Sequence, residues 1–139
     1  MKIILSSIII VALFSAHSIA QNFQVIVNPA NSVSELNNSD LSKIFLKTKS
    51  SWNDGLKIVP VDLNARSETR GTFSQEIHGR SVGAIRSHWQ QAAFSGAGTA
   101  PLERPNDAEV ITFVKNNPGA IGYVSAGADV SSVKVIAVN

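Results

Sequence analysis

Segments in which the hydrophobic positions have the spacing of a strand alternate along this chain with segments in which they have the spacing of a helix. The run Phe23–Val27 predicts a first strand, and residues 57–62 predict a second, because they alternate and are rich in β-branched side chains. Pro60 lies inside this second strand and cannot donate a ladder hydrogen bond, which predicts an edge position or a bulge. Two further strands are predicted over residues 120–124 and 133–138. Asn53-Asp54-Gly55 is a strong turn signal.

Four segments carry the three-to-four-residue spacing of amphipathic helices. The first begins at Ser39-Asp40, and the others are predicted over residues 67–78, 82–94 and 106–116. Gly79 is expected to end the second helix, and Asn106 to cap the fourth, with Glu109 at capping-box spacing. The order of strands and helices predicts an α/β domain. Its large aromatic residues are expected in the core rather than on a ligand platform; they are Trp52, Trp89 and Tyr123.

The first twenty residues have the order of a secretory signal peptide. Met1-Lys2 supplies a charge, an apolar run follows, and Ser18-Ile19-Ala20 offers the small residues of a cleavage site. A membrane anchor is the weaker interpretation, because Ser6 and Ser7 interrupt a run that would need about 20 apolar residues. We therefore predict a signal peptide over residues 1–20 and one domain over residues 21–139, exported to a compartment such as the bacterial periplasm.

The amino-acid composition excludes several kinds of chemistry and of binding partner. The chain has no cysteine, which excludes disulfides, thiolate chemistry and lipidation of a cysteine after the signal. Its 12 Lys and Arg residues against 10 Asp and Glu residues do not suggest a nucleic-acid binder, and no membrane insertion is expected after signal removal. His78 and His88 have no companions at metal-ligand spacing, so neither a metal site nor a cofactor is expected.

One stretch, from Asn64 to Phe73, concentrates hydrogen-bond donors at the point where a strand leads into a helix. A helix start exposes unpaired N–H groups and a partial positive charge, which suit an anion. The candidate anion-binding residues are Arg66, Ser67, Thr69, Arg70, Gly71 and Thr72. In this interpretation the arginines supply charge, the hydroxyls donate, and the glycine gives access to the backbone. Glu68 is expected to brace an arginine or accept the anion's proton. A capped, solvated helix start explains the same residues without any ligand.

Several motifs, in order, resemble the phosphate-specific substrate-binding proteins of ABC transporters, a family of the periplasmic-binding-protein-like class. The motifs are Val25-Ile26-Val27-Asn28-Pro29 with Asn31, Leu41-Ser42-Lys43-Ile44-Phe45, Trp52-Asn53-Asp54-Gly55, Pro60-Val61, the stretch 66–73, Trp89 with Phe94-Ser95-Gly96, and Pro118-Gly119-Ala120-Ile121-Gly122-Tyr123-Val124. The resemblance implies a single lobe of a type II fold, with a mixed sheet flanked by helices. It also implies that the chain binds an oxyanion outside the cytoplasm without catalysing a reaction. The expected oxyanion is phosphate, and the expected role is that of the substrate-binding component of an ABC transporter.

The phosphate loop of that family reads approximately Arg-x-Asp-Gly-Ser-Gly-Thr, and it aligns without gaps from Arg66 to Thr72. Thr69 stands where the family has glycine, and Arg70 where it has the ligand-binding serine. Family members have two lobes, whereas this chain has the length of one, so a lone copy is expected to bind weakly. A second copy of the chain or another protein would supply the other side of the binding site, which the second lobe forms in the family. An ABC transporter permease is a further expected partner.

Two other functions compete with this prediction. An envelope interaction or accessory module would keep the fold without the ligand. A phosphoester hydrolase would need a metal cluster, a nucleophile–base pair or paired carboxylates, none of which the sequence assembles, so no enzymatic activity is predicted.

Overall fold

The computed structural model describes residues 22–139, so the predicted signal peptide and its cleavage after Ala20 lie outside the described residues. The strands are β1 (Phe23–Val27), β2 (Glu35–Leu36), β3 (Val59–Leu63), β4 (Leu102–Arg104), β5 (Ala120–Ser125) and β6 (Lys134–Val138). The helices are α1 (Asn38–Phe45), α2 (Glu68–Phe73), which continues as a π-helical turn (Ser74–His78), α3 (Val82–Ser95) and α4 (Asp107–Asn116). Within this part of the chain, no helix has the length and apolar character needed to cross a bilayer.

All six strands form one mixed sheet in the order β2-β6-β1-β5-β3-β4. β3 runs parallel to both β4 and β5, and β1 runs antiparallel to β5 and β6. The carboxyl ends of β3, β4 and β5 therefore lie at one edge of the sheet, together with the start of β1. This is the edge at which open α/β sheets bind their ligands.

Helices cover both faces of the sheet, and neighbouring residues of β5 show how. Gly122 faces α4, where an added Cβ would lie 2.7 Å from Cγ1 of Val110, so only glycine allows this close approach. Side chains alternate along a strand, so Tyr123 faces the other side, where it packs against aromatic residues of α1 and α2. The predicted α/β class, with a mixed sheet flanked by helices, is confirmed.

A cluster of four aromatic rings forms the core beneath α1 and α2. Phe73 stacks on Tyr123 with ring centroids 3.8 Å apart, and its edges meet Phe45 and Phe23 at 4.9 and 5.3 Å. All four side chains are buried. Burial of rings in stacked and edge-to-face pairs contributes both apolar area and specific geometry. This cluster fixes α2, and with it the predicted anion-binding stretch, on the sheet.

Most sequence-based elements agree with the structure to within two residues. Asn106 caps α4 by accepting a hydrogen bond from the Glu109 amide at 3.0 Å, and Gly79 ends the second helical segment at φ 63°. α1 begins slightly earlier than predicted, because Asn37 is its cap. Trp52 and Trp89 are buried, as expected.

The edge position predicted for Pro60 as one of two alternatives is wrong, since β3 is an interior strand between β5 and β4. The Val59 amide donates to the Gly119 carbonyl on the β5 side, so the Pro60 nitrogen faces the β4 side. Pairing with β4 begins only at Val61, so no partner strand requires a donor there. The short strands β2 and β4 were not predicted, because two or three residues are too few to show a period.

His78 makes the stability of the fold sensitive to acid. Its Nδ1 lies 2.7 Å from Ser42 Oγ, and burial, together with the nearby Arg80 and Arg70, lowers its pKa to about 4. The unfolded chain binds this proton near pH 6.5, so stability is lost as the pH falls from 6.5 towards 4.

We expect His78→Gln to weaken this acid dependence by about 1 kcal/mol, a discounted value because the ring is only half-buried. Urea unfolding of both proteins at pH 4.5 and 7 measures it. Equal changes between the two pH values in wild type and variant would contradict the expectation.

Candidate functional site

The candidate site lies at the sheet edge where β3, β4 and β5 end. Asn64 follows β3 and is tied to the end of β4, since its amide donates to the Arg104 carbonyl at 3.0 Å. At the end of β5, the Ser125 hydroxyl and amide both donate to the Asp107 carboxylate at the start of α4. The loop between β3 and α2 is therefore anchored on a rigid strand, beside two other strand ends.

The loop from Asn64 to Ser67 turns the chain directly into α2. The Asn64 side-chain oxygen accepts from the Arg66 amide at 2.8 Å, and its carbonyl accepts from the Ser67 amide at 2.9 Å. Ser67 is the N-cap, with its hydroxyl oxygen accepting from the Arg70 amide at 3.3 Å. No acceptor for the amides of Glu68 and Thr69 is found among residues 22–139. Two backbone donors thus remain free at the start of the helix.

Side chains around these amides are mixed in charge. Arg66 is exposed, and within the described chain it forms no ion pair. Thr69 and Thr72 lie three residues apart on one helix face and line a surface hollow of about 360 Å³, together with Asn22 and Glu68. The Glu68 carboxylate opposes an anion, whereas the Arg66 guanidinium and the Thr69 hydroxyl favour one.

The donor role predicted for Thr72 does not fit this geometry. The predicted role of Gly71 was access to the backbone, and its own amide donates within the helix to the Ser67 carbonyl at 3.2 Å. Thr72 Oγ1 donates to the Glu68 carbonyl at 3.3 Å, which leaves its oxygen as an acceptor.

Arg70 is the larger correction, because its guanidinium points into the protein. It is 5% exposed and lies between the carboxylates of Asp62 and Glu103. Its Nη1 donates to Glu103 Oε1 at 2.6 Å and to the Leu63 carbonyl at 2.9 Å, while Nη2 lies 3.8 Å from Asp62 Oδ2. Arg70 therefore holds the end of β3 and is not available to an anion.

Tyr123 completes this buried network. Its hydroxyl donates to Asp62 Oδ1 at 2.7 Å and accepts from the Leu63 amide at 3.3 Å. Burial raises the pKa of Asp62, while Arg70 and the Tyr123 hydrogen bond act in the opposite direction. Burial, followed by the neighbouring Asp62 carboxylate, raises the pKa of Tyr123. Burial disfavours the charge of Arg70, but the Asp62 and Glu103 carboxylates outweigh it and raise its pKa.

Sequence reasoning missed this network, although one signal was present. Asp62 interrupts an otherwise apolar strand, and a charged residue at such a position requires a partner. Its partners are Arg70, eight residues on, and Tyr123, 61 residues on, while Glu103 joins the network through Arg70. Among residues 22–139, no group of three His, Asp or Glu side chains is placed to hold a metal ion.

Comparison with known proteins identifies a family and a fold. A family model described as a PBP superfamily domain matches residues 15–137. A search of curated proteins gave no match.

Solved structures match over most of this chain. An ABC-type phosphate transport receptor from Vibrio cholerae is 24% identical with a TM-score of 0.68, over 84% of this chain and 46% of its own. A putative phosphate ABC transporter substrate-binding protein with bound phosphate, from Clostridium perfringens, is 23% identical with a TM-score of 0.66, over 84% and 44%. A possible phosphate binding protein from Planctomyces limnophilus is 19% identical with a TM-score of 0.64, over 85% and 41%. The chain thus spans less than half the length of these proteins.

Proposed function

The chain belongs to the PBP superfamily, and from that premise we propose that it binds inorganic phosphate at the start of α2. The observation that carries this proposal is the pair of free amides, those of Glu68 and Thr69, at the ligand-binding edge of the sheet. The solved structures of the same fold, described as phosphate receptors or phosphate-binding proteins, support phosphate as the ligand. No catalytic step is proposed.

Each residue of the site then has a separate role. Arg66 supplies the charge and donates from its planar guanidinium, and the hydroxyls of Ser67 and Thr69 add neutral donors beside the two amides. Thr72 borders the hollow next to them. Arg70 is a positioning residue, because it fixes the end of β3 without contacting the anion. Gly71 leaves open space, since an added Cβ would meet no atom within 4 Å.

A single lobe leaves the anion open to water on one side, where charge–charge attraction is several-fold weaker than in a closed site. We therefore propose weak binding by a single copy, and tighter binding when a second copy or another protein covers the edge. The setting we propose is outside the cytoplasm, as the substrate-binding component of a phosphate ABC transporter.

An envelope interaction module is the second candidate. The inward orientation of Arg70 and the Glu68 carboxylate beside the free amides favour it, because both reduce the positive potential at the site. Such a module would use the same sheet edge without an anion.

Thermal and urea unfolding with added phosphate separates the two candidates. For a dissociation constant near 1 mM, 20 mM phosphate should raise the free energy of unfolding by about 2 kcal/mol over chloride of equal ionic strength. Arg66→Gln should remove at least half of this gain, whereas Arg86→Gln, an exposed arginine on α3, should leave it unchanged. Sulfate in parallel tests selectivity for phosphate.

The absence of any gain for the wild type would favour the interaction module. Equal losses in the Arg66 and Arg86 variants would show that the site lies elsewhere. If the chain binds phosphate with submicromolar affinity while sedimentation shows it to be monomeric, the proposal that a second copy or another protein must cover the site is contradicted.

A further inference from the structure

A second cavity, of about 400 Å³, lies at the opposite edge of the sheet, where β3 and β4 begin. Its apolar lining comes from α1, from β3 with the residue before it, and from β4; these residues are Ile44, Ile58, Val59, Pro60 and Leu102. Leu102 remains 47% exposed, so part of this apolar surface meets water. The volume is within the range of small-molecule sites, which are mostly apolar with a few polar groups.

Three lysines also line the cavity, Lys47, Lys49 and Lys57, and Ser50, Thr99 and Ala100 form the rest of its lining. No carboxylate lines this cavity in the part of the chain that the structure describes. Lys49 is partly neutralised, with its Nζ 3.8 Å from Asp40, whereas Lys57 forms no ion pair among residues 22–139. The larger cavity of about 550 Å³ differs, because the carboxylates of Glu35, Asp40 and Asp54 all line it.

Lys47 occupies a backbone position that normally favours glycine. It has φ 60° just after α1, and it is the one non-glycine residue with positive φ among residues 22–139. This is the common left-handed end of a helix, because the Lys47 amide donates to the Ile44 carbonyl at 3.1 Å and the Thr48 amide to the Lys43 carbonyl at 2.9 Å. The Lys47 Nζ donates to the Ala100 carbonyl at 3.4 Å, so this ammonium group reaches the loop before β4.

We propose that this cavity binds a small amphiphilic anion, a carboxylate with an apolar body such as a medium-chain fatty acid. Val59 and Leu102, the two apolar residues that keep exposed surface, would contact the body together with the lysine stems, and the ammonium groups of Lys47 and Lys57 would bind the carboxylate. Lysine suits this role, because its ammonium is a compact charge on a flexible stem that also covers apolar surface.

This second site is independent of the phosphate site. β3 starts at the cavity with Val59 and ends at the phosphate site with Leu63. Five strand residues span roughly 15 Å, so the two anions would not share a ligand. Variants of Arg66 therefore test only the first site, and variants of the lysines test only the second.

Displacement of a fluorescent amphiphile tests the proposal. The chain is titrated with 8-anilinonaphthalene-1-sulfonate, which is then displaced with octanoate or octanol. We expect octanoate to displace the probe at concentrations at least tenfold lower than octanol. The double variant Lys47→Gln with Lys57→Gln should lower the affinity for octanoate about tenfold. Raising the salt concentration should also lower the affinity for octanoate. The matched control is Lys43→Gln with Lys115→Gln, two exposed lysines outside the cavity, and it should behave like the wild type.

Lys47→Gly separates binding from stability. Glycine relieves the left-handed conformation, so we expect a higher melting temperature together with weaker octanoate binding. Failure of the wild type to bind the probe, equal displacement by octanol, or equal weakening in the control pair would each overturn the proposal.

Discussion

Replacing Arg70 by alanine is expected to lower the free energy of unfolding by about 3–5 kcal/mol, because it leaves the Asp62 carboxylate buried without its cation. Asp62 is only 7% exposed, so water cannot replace the guanidinium. Glu103 is half-exposed and can be solvated, so most of the loss is assigned to Asp62. Urea unfolding measures the difference. Arg86→Ala, an exposed arginine on α3, is the control and should change stability by less than about 0.5 kcal/mol.

The pH dependence of this loss identifies its cause. Without Arg70, the Asp62 carboxyl has a pKa further above its unfolded value, so the folded variant binds a proton that the unfolded chain releases. The deficit should therefore be largest at neutral pH and shrink as the pH falls towards 4. Asp62→Asn combined with Arg70→Met should cost less than the sum of the two single variants. A deficit that is independent of pH, with additive single effects, would contradict this explanation.

The buried network also separates what the sequence could predict from what it could not. The Ser67 cap, the helix after it and the strand before it follow from local patterns, because a cap needs only neighbouring amides. The direction of the Arg70 side chain depends on Glu103, 33 positions away, and on Asp62, which accepts a hydrogen bond from Tyr123, 61 positions further on. Two arginines four residues apart therefore looked equivalent in the sequence, although one is exposed and the other is buried.

Strand pairing caused the other difference. The missing amide hydrogen of Pro60 predicts an edge position or a bulge, but its place is determined by where β4 begins to pair with β3. β4 itself is three residues long, and its partner β3 determines its place. Local rules thus predicted the helices and the longer strands, and contacts between distant residues determined the rest. The same contacts shape the candidate site, since Arg70 anchors the loop that carries the free amides.

Replacing Phe73 by alanine is expected to cost about 3–5 kcal/mol, because it opens a cavity in the aromatic cluster. Phe73 is 1% exposed and contacts three other aromatic rings of the cluster. Phe94→Ala is the matched control, since this ring is 96% exposed at the end of α3, and it should change stability by less than about 0.5 kcal/mol. Urea unfolding of both variants and the wild type gives the comparison.

A loss of this size approaches the whole stability of a small domain, about 5–15 kcal/mol. If the Phe73 variant still folds, its phosphate site should suffer as well, because Phe73 lies at the end of the helix whose first amides are the proposed donors. Phosphate would then stabilise this variant less than the wild type. A cost below about 1 kcal/mol would mean that the cluster closes around the gap, and that α2 is held mainly by the Arg70 network.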